Sequence, residues 1–487
     1  MSALHTNYSE ATDFIGEISS PTIFFSLVYL AYSAVTFLLY KKLTGSTPRK
    51  KSFAVTLILF GISGLGLFTN LVFANTPPLN SPVWKSIHVG LSSPIFRPLS
   101  AGKIYLTKIN ELKAAQDNRL KYTYSVSVPE PIPPLTGIVI LGESATRSHF
   151  GIYGYPLDTT PLLKNETLHV WNSAIAPAPL TYYSIPKLLT ESGAKAPNLF
   201  LERPSIITIA RLAGYKTYWI SNQGKFGTAD TPSALISNES ETVKFLNSNI
   251  TNFSPDSKLI DELDAILNPA QKNNIRNKLI ILHMAGSHPA FINRYPETFA
   301  KFTPEDYHGD MTSKEKLSQY DNSIYYTDFV VDKVINLAKK IPGMAFVLYT
   351  SDHGLSLTEG QGFLKHGSDK SSYTVPFFIW GKSGTFTEST TQAMKTNKNK
   401  PFGTENMFYS LLNLLRIQIP EYESKKDILN PEFTEEPIFV TLPDQTLVNF
   451  DIIANKETKL SNAGPSVGAA AAVPLPPANR PPAPPPG

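Results

Sequence analysis

Two uncharged apolar runs constrain this chain more than any other feature. Residues 22–40 (TIFFSLVYLAYSAVTFLLY) and 53–74 (FAVTLILFGISGLGLFTNLVFA) contain no Asp, Glu, Lys or Arg. At about 1.5 Å per helical residue, each is long enough to cross roughly 30 Å of hydrocarbon. A buried core helix rarely shows such a run, and two in succession predict a transmembrane hairpin. The first run does not read as a cleaved leader, because Glu10, Asp13 and Glu17 precede it and no small-residue cleavage site follows. Between the runs, the segment 41–52 carries Lys41, Lys42, Arg49, Lys50 and Lys51. Such a basic loop stays in the cytoplasm. Residues 1–21 and everything after 74 are therefore expected on the far side, which in a Gram-negative cell is the periplasm.

Beyond the hairpin, residues 75–130 read as a Pro-punctuated connector with an amphipathic stretch near 105–118. That stretch suits a helix on the bilayer surface and equally a solvated linker helix. From residue 131 to 450 the pattern becomes α/β. Short apolar runs at 137–141 (GIVIL), 217–220 (TYWI), 279–282 (LIIL), 344–349 (MAFVLY) and 375–380 (VPFFIW) suit buried parallel strands. A helix is expected over 321–340, with Ile324, Val331, Val334 and Ala338 on one face. The alternation predicts a mostly parallel sheet with helices on both faces. Residues 451–487 end in an Ala/Pro-rich tail (GPSVGAAAAVPLPPANRPPAPPPG) that cannot bury enough apolar surface to fold.

Composition narrows the chemistry. A net charge of +4 without a basic stripe gives no reason to expect nucleic acid as a partner. The absence of cysteine excludes disulfides and leaves His and oxygen donors for any metal. In open α/β sheets, ligands gather at the carboxyl ends of strands. Glu143 lies just past one strand in GIVILGES, and His283 and His288 follow another in LIILHMAGSH. Asp352 and His353 follow a third in MAFVLYTSDHG, and His366 comes soon after in FLKHGS. Carboxylate and imidazole without thiolate suit zinc, and less well manganese, in a catalytic site. Glu143, Asp352 and His353 would supply three ligands and leave a position open. Each also has a plainer reading. Glu143 suits a helix N-cap partner, Asp352–His353–Gly354 a strand-end turn, and His283 or His366 alone a structural histidine.

Several ordered blocks carry a resemblance. GESATRSHFGIYGYPLDTTPLL (142–163), PLTYYSIPKLLT (179–190), GYKTYWISNQ (214–223) and LHMAGSHPAFINRYP (282–296) come first. FTPED with QYDNSIYYTD, YTSDHG (349–354) and HGSDKSSYTVPFFIW (366–380) follow. Together they resemble the phosphoethanolamine transferases that modify bacterial lipopolysaccharide, within the sulfatase and alkaline phosphatase superfamily. The resemblance covers roughly 125–445 and implies the alkaline-phosphatase/sulfatase-like fold. It further implies Glu143, Thr181, Asp352 and His353 as zinc ligands, with Thr181 also the nucleophile. His288 and His366, with His283 less defined, would hold substrate phosphate or a second zinc, and Asn222 and Gln223 would form a loop near the substrate. The implied donor is phosphatidylethanolamine, and the implied acceptor is lipopolysaccharide or another envelope glycan. The implied location is the bacterial inner membrane, multi-pass, with a periplasmic catalytic domain.

The chain departs from the family in two respects. Members usually carry five spanning helices with a cytoplasmic N-terminus, so the hairpin here is expected to correspond to the last two. Lys187 stands in the nucleophile segment where lipid A-directed members often have Cys, and YGYPLDTTP is closer to the branch acting on core sugars. A phosphoglycerol transferase or a phosphodiesterase of the same superfamily is the enzymatic alternative. A non-catalytic envelope protein is the alternative from another class.

Overall fold

The structure is a computed structural model describing residues 96–119, 121–128, 133–193, 195–224, 231–247, 254–268, 277–357, 364 and 366–455. Both apolar runs, their basic loop and the Ala/Pro-rich tail lie outside the described residues, and so does the first part of the connector. Among the described residues no helix is long and apolar enough to cross a membrane. The chain divides into two units at Glu111/Leu112. The second unit carries everything that follows.

Its frame is a seven-stranded sheet. The strands are β1 (Leu135–Gly142), β2 (Leu168–Val170), β4 (Lys216–Gly224), β5 (Thr242–Asn247), β6 (Lys278–His283), β7 (Met344–Ser351) and β9 (Phe377–Gly381), in the spatial order β2-β9-β7-β1-β6-β4-β5. A small second sheet takes β3 (Ala174–Ile175) and β8 (Thr374–Val375). β1 is central and pairs in parallel with β6 on one side and β7 on the other. Every residue of these three strands is buried. That explains their unbroken apolar runs, since side chains alternate between two faces that are both covered.

On one face Val139, Leu141, Trp219, Ile281, Phe346 and Leu348 pack against helices. These are α2 (Thr181–Leu189), α3 (Ile206–Leu212) and the helix Met407–Leu414, which contribute Ile185, Leu188, Ile207 and Leu411. On the other face Ile138, Ile140, Ile280, Leu282 and Val347 pack against a 29-residue helix, Met311–Lys339. Each such side chain removed from water contributes roughly 1.5–3 kcal/mol. Ile324, Val331, Val334 and Ala338 are indeed its buried stripe. The helix begins ten residues before the expected start at 321. Asp310 caps it by accepting the Ser313 N–H at 3.1 Å, and its mostly polar first two turns leave the apolar period invisible there.

One expectation about strand direction is corrected. The run 375–380 was expected as a parallel strand, whereas β9 pairs antiparallel with β7. A parallel return needs a crossover, usually a helix, back to the same end of the sheet. Within the described part of the connection from β7 to β9 there is only a 3-10 turn, Lys370–Ser372, and the short β8. β2 then pairs antiparallel with β9 at the sheet edge.

The helix Phe96–Arg119 contains the amphipathic stretch of the connector. Its last turns, from Leu112 on, belong to the second unit. Leu112 and Ala115 are buried with Phe200 and Leu235, and Arg119 pairs with Glu239 and donates to Arg203 O at 3.2 Å. In α2, Lys187 is 2% exposed and its Nζ donates to Thr441 Oγ1 at 2.7 Å. This ties α2 to the strand Phe439–Thr441.

Candidate active site

The site forms where β1 and β7 end and α2 begins. β1 runs out at Gly142 and β7 at Ser351, and the register continues one step further as the Asp352 N–H donates to Gly142 O at 3.1 Å. This step places Glu143 beside Asp352 and His353. One ligand atom from each of the three lies within 4.8 Å of the others, and all three residues are 0–1% exposed. Glu143 Oε1 is 3.3 Å from His353 Nε2, and Asp352 Oδ2 is 3.6 Å from that nitrogen.

α2 supplies the hydroxyl. Leu180 is extended and its carbonyl accepts the N–H groups of Tyr183 and Ser184, so Thr181 is the first helical residue. Thr181 Oγ1 donates to Glu143 Oε2 at 2.9 Å and lies 3.3 Å from His353 Nε2. Ser184, one turn on, donates to Asp352 O and pins this end of the helix to the β7 loop.

The electrostatics of the cluster are those of a cation site. Burial, and then the negative charge of Glu143, push Asp352 up to about 7. Burial opposes charge on His353, but the carboxylates of Asp352 and Glu143 raise it to about 9. Burial also works against the Glu143 carboxylate, and its hydrogen bond to His353 together with nearby imidazole charge holds it well below the usual range. Two carboxylates this close and this dry need positive charge between them. Asp352 Oδ2 is buried without a hydrogen-bond partner among the described residues. The His353 Nδ1–H donates to Gly354 O at 2.9 Å, which leaves Nε2 as the nitrogen that faces the carboxylates. The donor set therefore fits a divalent cation of zinc type.

The remaining predicted residues divide into groups. His366 stacks edge-on to His353 with ring centres 4.8 Å apart, and His288 is 6.3 Å from His366. The His366 Nδ1–H donates to Pro179 O at 3.0 Å, two residues before Thr181. Burial, with other positive groups nearby, lowers His366 to about 3 and His288 to about 4, so both are neutral at pH 7. Gln223 is in the site: its Nε2 donates to Glu143 Oε2 at 2.9 Å and to Met284 O at 3.0 Å. The Asn222 amide points elsewhere, donating to Ser254 O and Asp256 Oδ1. His283 lies behind Gln223. Its Nδ1 is 3.3 Å from Ser221 Oγ, its ring packs on Trp219, and its buried Nε2 has no hydrogen-bond partner among the described residues.

Several participants escaped sequence reasoning. Ser144 holds a left-handed backbone (φ +57), donates Oγ–H to Glu143 Oε1 at 2.7 Å, and gives its N–H to Asp352 Oδ1. Tyr320 Oη donates to Ser144 O at 2.9 Å and accepts the Thr146 N–H at 2.8 Å, bracing that turn from the long helix. Arg294 donates to His288 O and Pro289 O. Ser144 lay inside the GES block and Tyr320 inside QYDNSIYYTD, so the signal was position within a recognised block, without a role attached.

The sulfatase family model matches residues 136–417. Phosphoethanolamine transferase EptC of Escherichia coli is 26% identical over 475 residues, covering 92% of this chain and 80% of that protein. The crystal structure of the C-terminal periplasmic domain of Escherichia coli EptC, in complex with Zn, superposes with a TM-score of 0.59 at 26% identity. That match covers 67% of this chain and 96% of the domain. The integral membrane lipooligosaccharide phosphoethanolamine transferase A of Neisseria meningitidis shares the fold, with a TM-score of 0.63 at 20% identity over 88% of this chain and 80% of that one. With the Thr181 hydroxyl set against a buried Glu-Asp-His cluster, the chain belongs to the sulfatase family and stands among its phosphoethanolamine transferases.

Proposed function

We propose that the chain moves phosphoethanolamine from phosphatidylethanolamine to a cell-envelope glycan, lipopolysaccharide core or lipid A, through a phosphothreonine on Thr181. The observation that carries this reading is the Thr181 hydroxyl, 2.9 Å from Glu143 Oε2 and 3.3 Å from His353 Nε2 beside Asp352. Glu143, Asp352, His353 and Thr181 would hold zinc, and His366 with His288 would hold the substrate phosphate or a second zinc. The chemistry a bound zinc supplies is that of a Lewis acid, acidifying a neighbouring hydroxyl and drawing charge from a phosphoryl oxygen.

The residues account for the rest. In the first displacement Thr181 Oγ1 bonds to phosphorus, and the bond from phosphorus to the diacylglycerol oxygen breaks. The proton lost by Thr181 is matched by one delivered to the departing oxygen, and the half-buried imidazoles His288 and His366 are the groups placed to relay it. Phosphothreonine then sits at the N-terminus of α2, where Leu180 offers no side-chain cap and the helix dipole favours an anion. In the second displacement an acceptor oxygen attacks the same phosphorus, the bond to Oγ1 breaks, and Thr181 regains a proton. With its Nδ1–H committed to Pro179 O, His366 has a lone pair on Nε2 to take the acceptor proton.

On this reading residues 22–74 anchor the enzyme in the inner membrane as a multi-pass protein, with the catalytic domain 131–450 in the periplasm beside both lipids. The test is the intact mass of acceptor glycolipid from cells with and without the protein, paired with labelled phosphatidylethanolamine in vitro. A gain of one phosphoethanolamine unit with diacylglycerol release supports transfer. Release of free phosphoethanolamine without dependence on acceptor overturns it in favour of a hydrolase.

A further inference from the structure

Glu143 and His288 follow β1 and β6, Gln223 lies near the end of β4, and the site requires their spacing to be held. We propose that Asp256 is the positioning residue that holds it. Asp256 lies outside every recognised block, just before the helix Lys258–Leu267, and is 2% exposed. Its carboxylate joins two strand ends. Oδ1 accepts the Asn222 Nδ2–H at 2.8 Å and the Ala285 N–H at 2.9 Å, and Oδ2 accepts the Gly286 N–H at 2.9 Å.

Both arms of this clamp end on Glu143. Through Asn222 it fixes the end of β4, where Gln223 Nε2 donates to Glu143 Oε2 at 2.9 Å. Through Ala285 and Gly286 it fixes the loop after β6. The next N–H in that loop, from Ser287, donates to Glu143 O at 2.9 Å, and the loop continues into His288. Gly286 is packed so closely that a Cβ there would stand 2.8 Å from both the backbone N and O of Glu143, and its φ of +52 is left-handed. A side chain at Gly286 thus has no room, and Asp256 holds this turn through the N–H groups of Ala285 and Gly286.

A carboxylate suits this position because all three partners are N–H donors and both oxygens accept. In Asp256→Asn, one of the two sides must present an amide N–H to another N–H. The residue acts on the metal site through Glu143 and touches no substrate, so its signature is in zinc affinity and coupling. Outer partners of metal ligands change affinity by about 10–100-fold when removed.

The experiment uses the full-length protein in detergent and measures zinc affinity by competition with a chromophoric chelator, alongside the melting midpoint. Asp256→Asn and Gln223→Ala are each expected to weaken zinc binding about 10–100-fold. The double variant should be no weaker than the poorer single, because both act through the same carboxylate. Asn222→Ala, which cuts only one arm, should show a smaller drop and serves if Asp256→Asn fails to fold. Zinc affinity within twofold of wild type in the folded Asp256→Asn protein overturns the proposal, and so do losses that multiply in the double variant. The inference rests on Glu143 holding zinc. Wild type that binds no zinc overturns that reading and this one together, whereas normal wild-type binding with unaffected variants overturns only the role of Asp256.

Discussion

Lys187 offers a prediction whose size follows from its surroundings. It is buried in α2, one turn from Ser184, with Nζ on Thr441 Oγ1 and the Glu405 carboxylate as its nearest named charge. Burial lowers it from 10.5 to about 8, against the opposing pull of Glu405. At about 1.4 kcal/mol per pH unit, that gap is worth roughly 3 kcal/mol. The sign follows from proton counting. Between about pH 8 and 10.5 the unfolded chain holds a proton on this lysine that the folded chain does not, so stability rises with pH across that window. Below pH 8 the full cost of burying the ammonium is present. Lys187→Met removes the ionisation and with it this slope, while the lost bond to Thr441 displaces the whole curve. The assay is thermal unfolding of wild type and variant in detergent from pH 7 to 10.5. At about 2–4 °C per kcal/mol, the difference between the two midpoints should change by roughly 5–10 °C across the range. Midpoint curves that run parallel would refute the claim that Lys187 is a buried cation in α2.

Four further outcomes follow from the site. Thr181→Ala should reduce phosphoethanolamine transfer to background while zinc still binds, more weakly, through Glu143, Asp352 and His353, and labelled donor should leave no phosphothreonine in the peptide mass spectrum. Asp352→Asn should weaken zinc binding more than a hundredfold in chelator competition, because it removes a ligand rather than the support of one. Treatment with a strong chelator should abolish transfer and added zinc restore it; activity that survives exhaustive chelation would contradict metal dependence. Gly286→Ala should destabilise the protein by more than about 1–3 kcal/mol and weaken zinc binding, since the methyl group adds left-handed strain to a collision with the Glu143 backbone.

The strands were legible where burial on both faces leaves a continuous apolar run, as in β1, β6 and β7. β5 was not, because its residues Thr242–Asn247 lie at the sheet edge and include Thr242 and Lys244 among the more exposed positions. The direction of β9 was hidden for another reason: direction depends on the path of the connecting chain, which apolar content does not encode. Glu143, Asp352 and His353 stood out because each directly follows a strand. Thr181 did not, since a threonine that opens a helix is commonplace, and only the block around it marked it. Asp256 was illegible because a polar residue before a helix reads as ordinary capping, and its partners are backbone N–H groups 29 and 30 residues away.

The hydrogen bond from His366 to Pro179 O links occupancy of the site to the stiffness of the strand-to-helix corner. An imidazole that takes a proton or a metal on one nitrogen becomes a stronger donor through the other. Whatever engages Nε2 therefore tightens the grip of Nδ1 on the carbonyl two residues ahead of Thr181. On the proposed reading, the turn into α2 is firmest while substrate phosphate or a second zinc sits on His366, and it loosens when that group leaves.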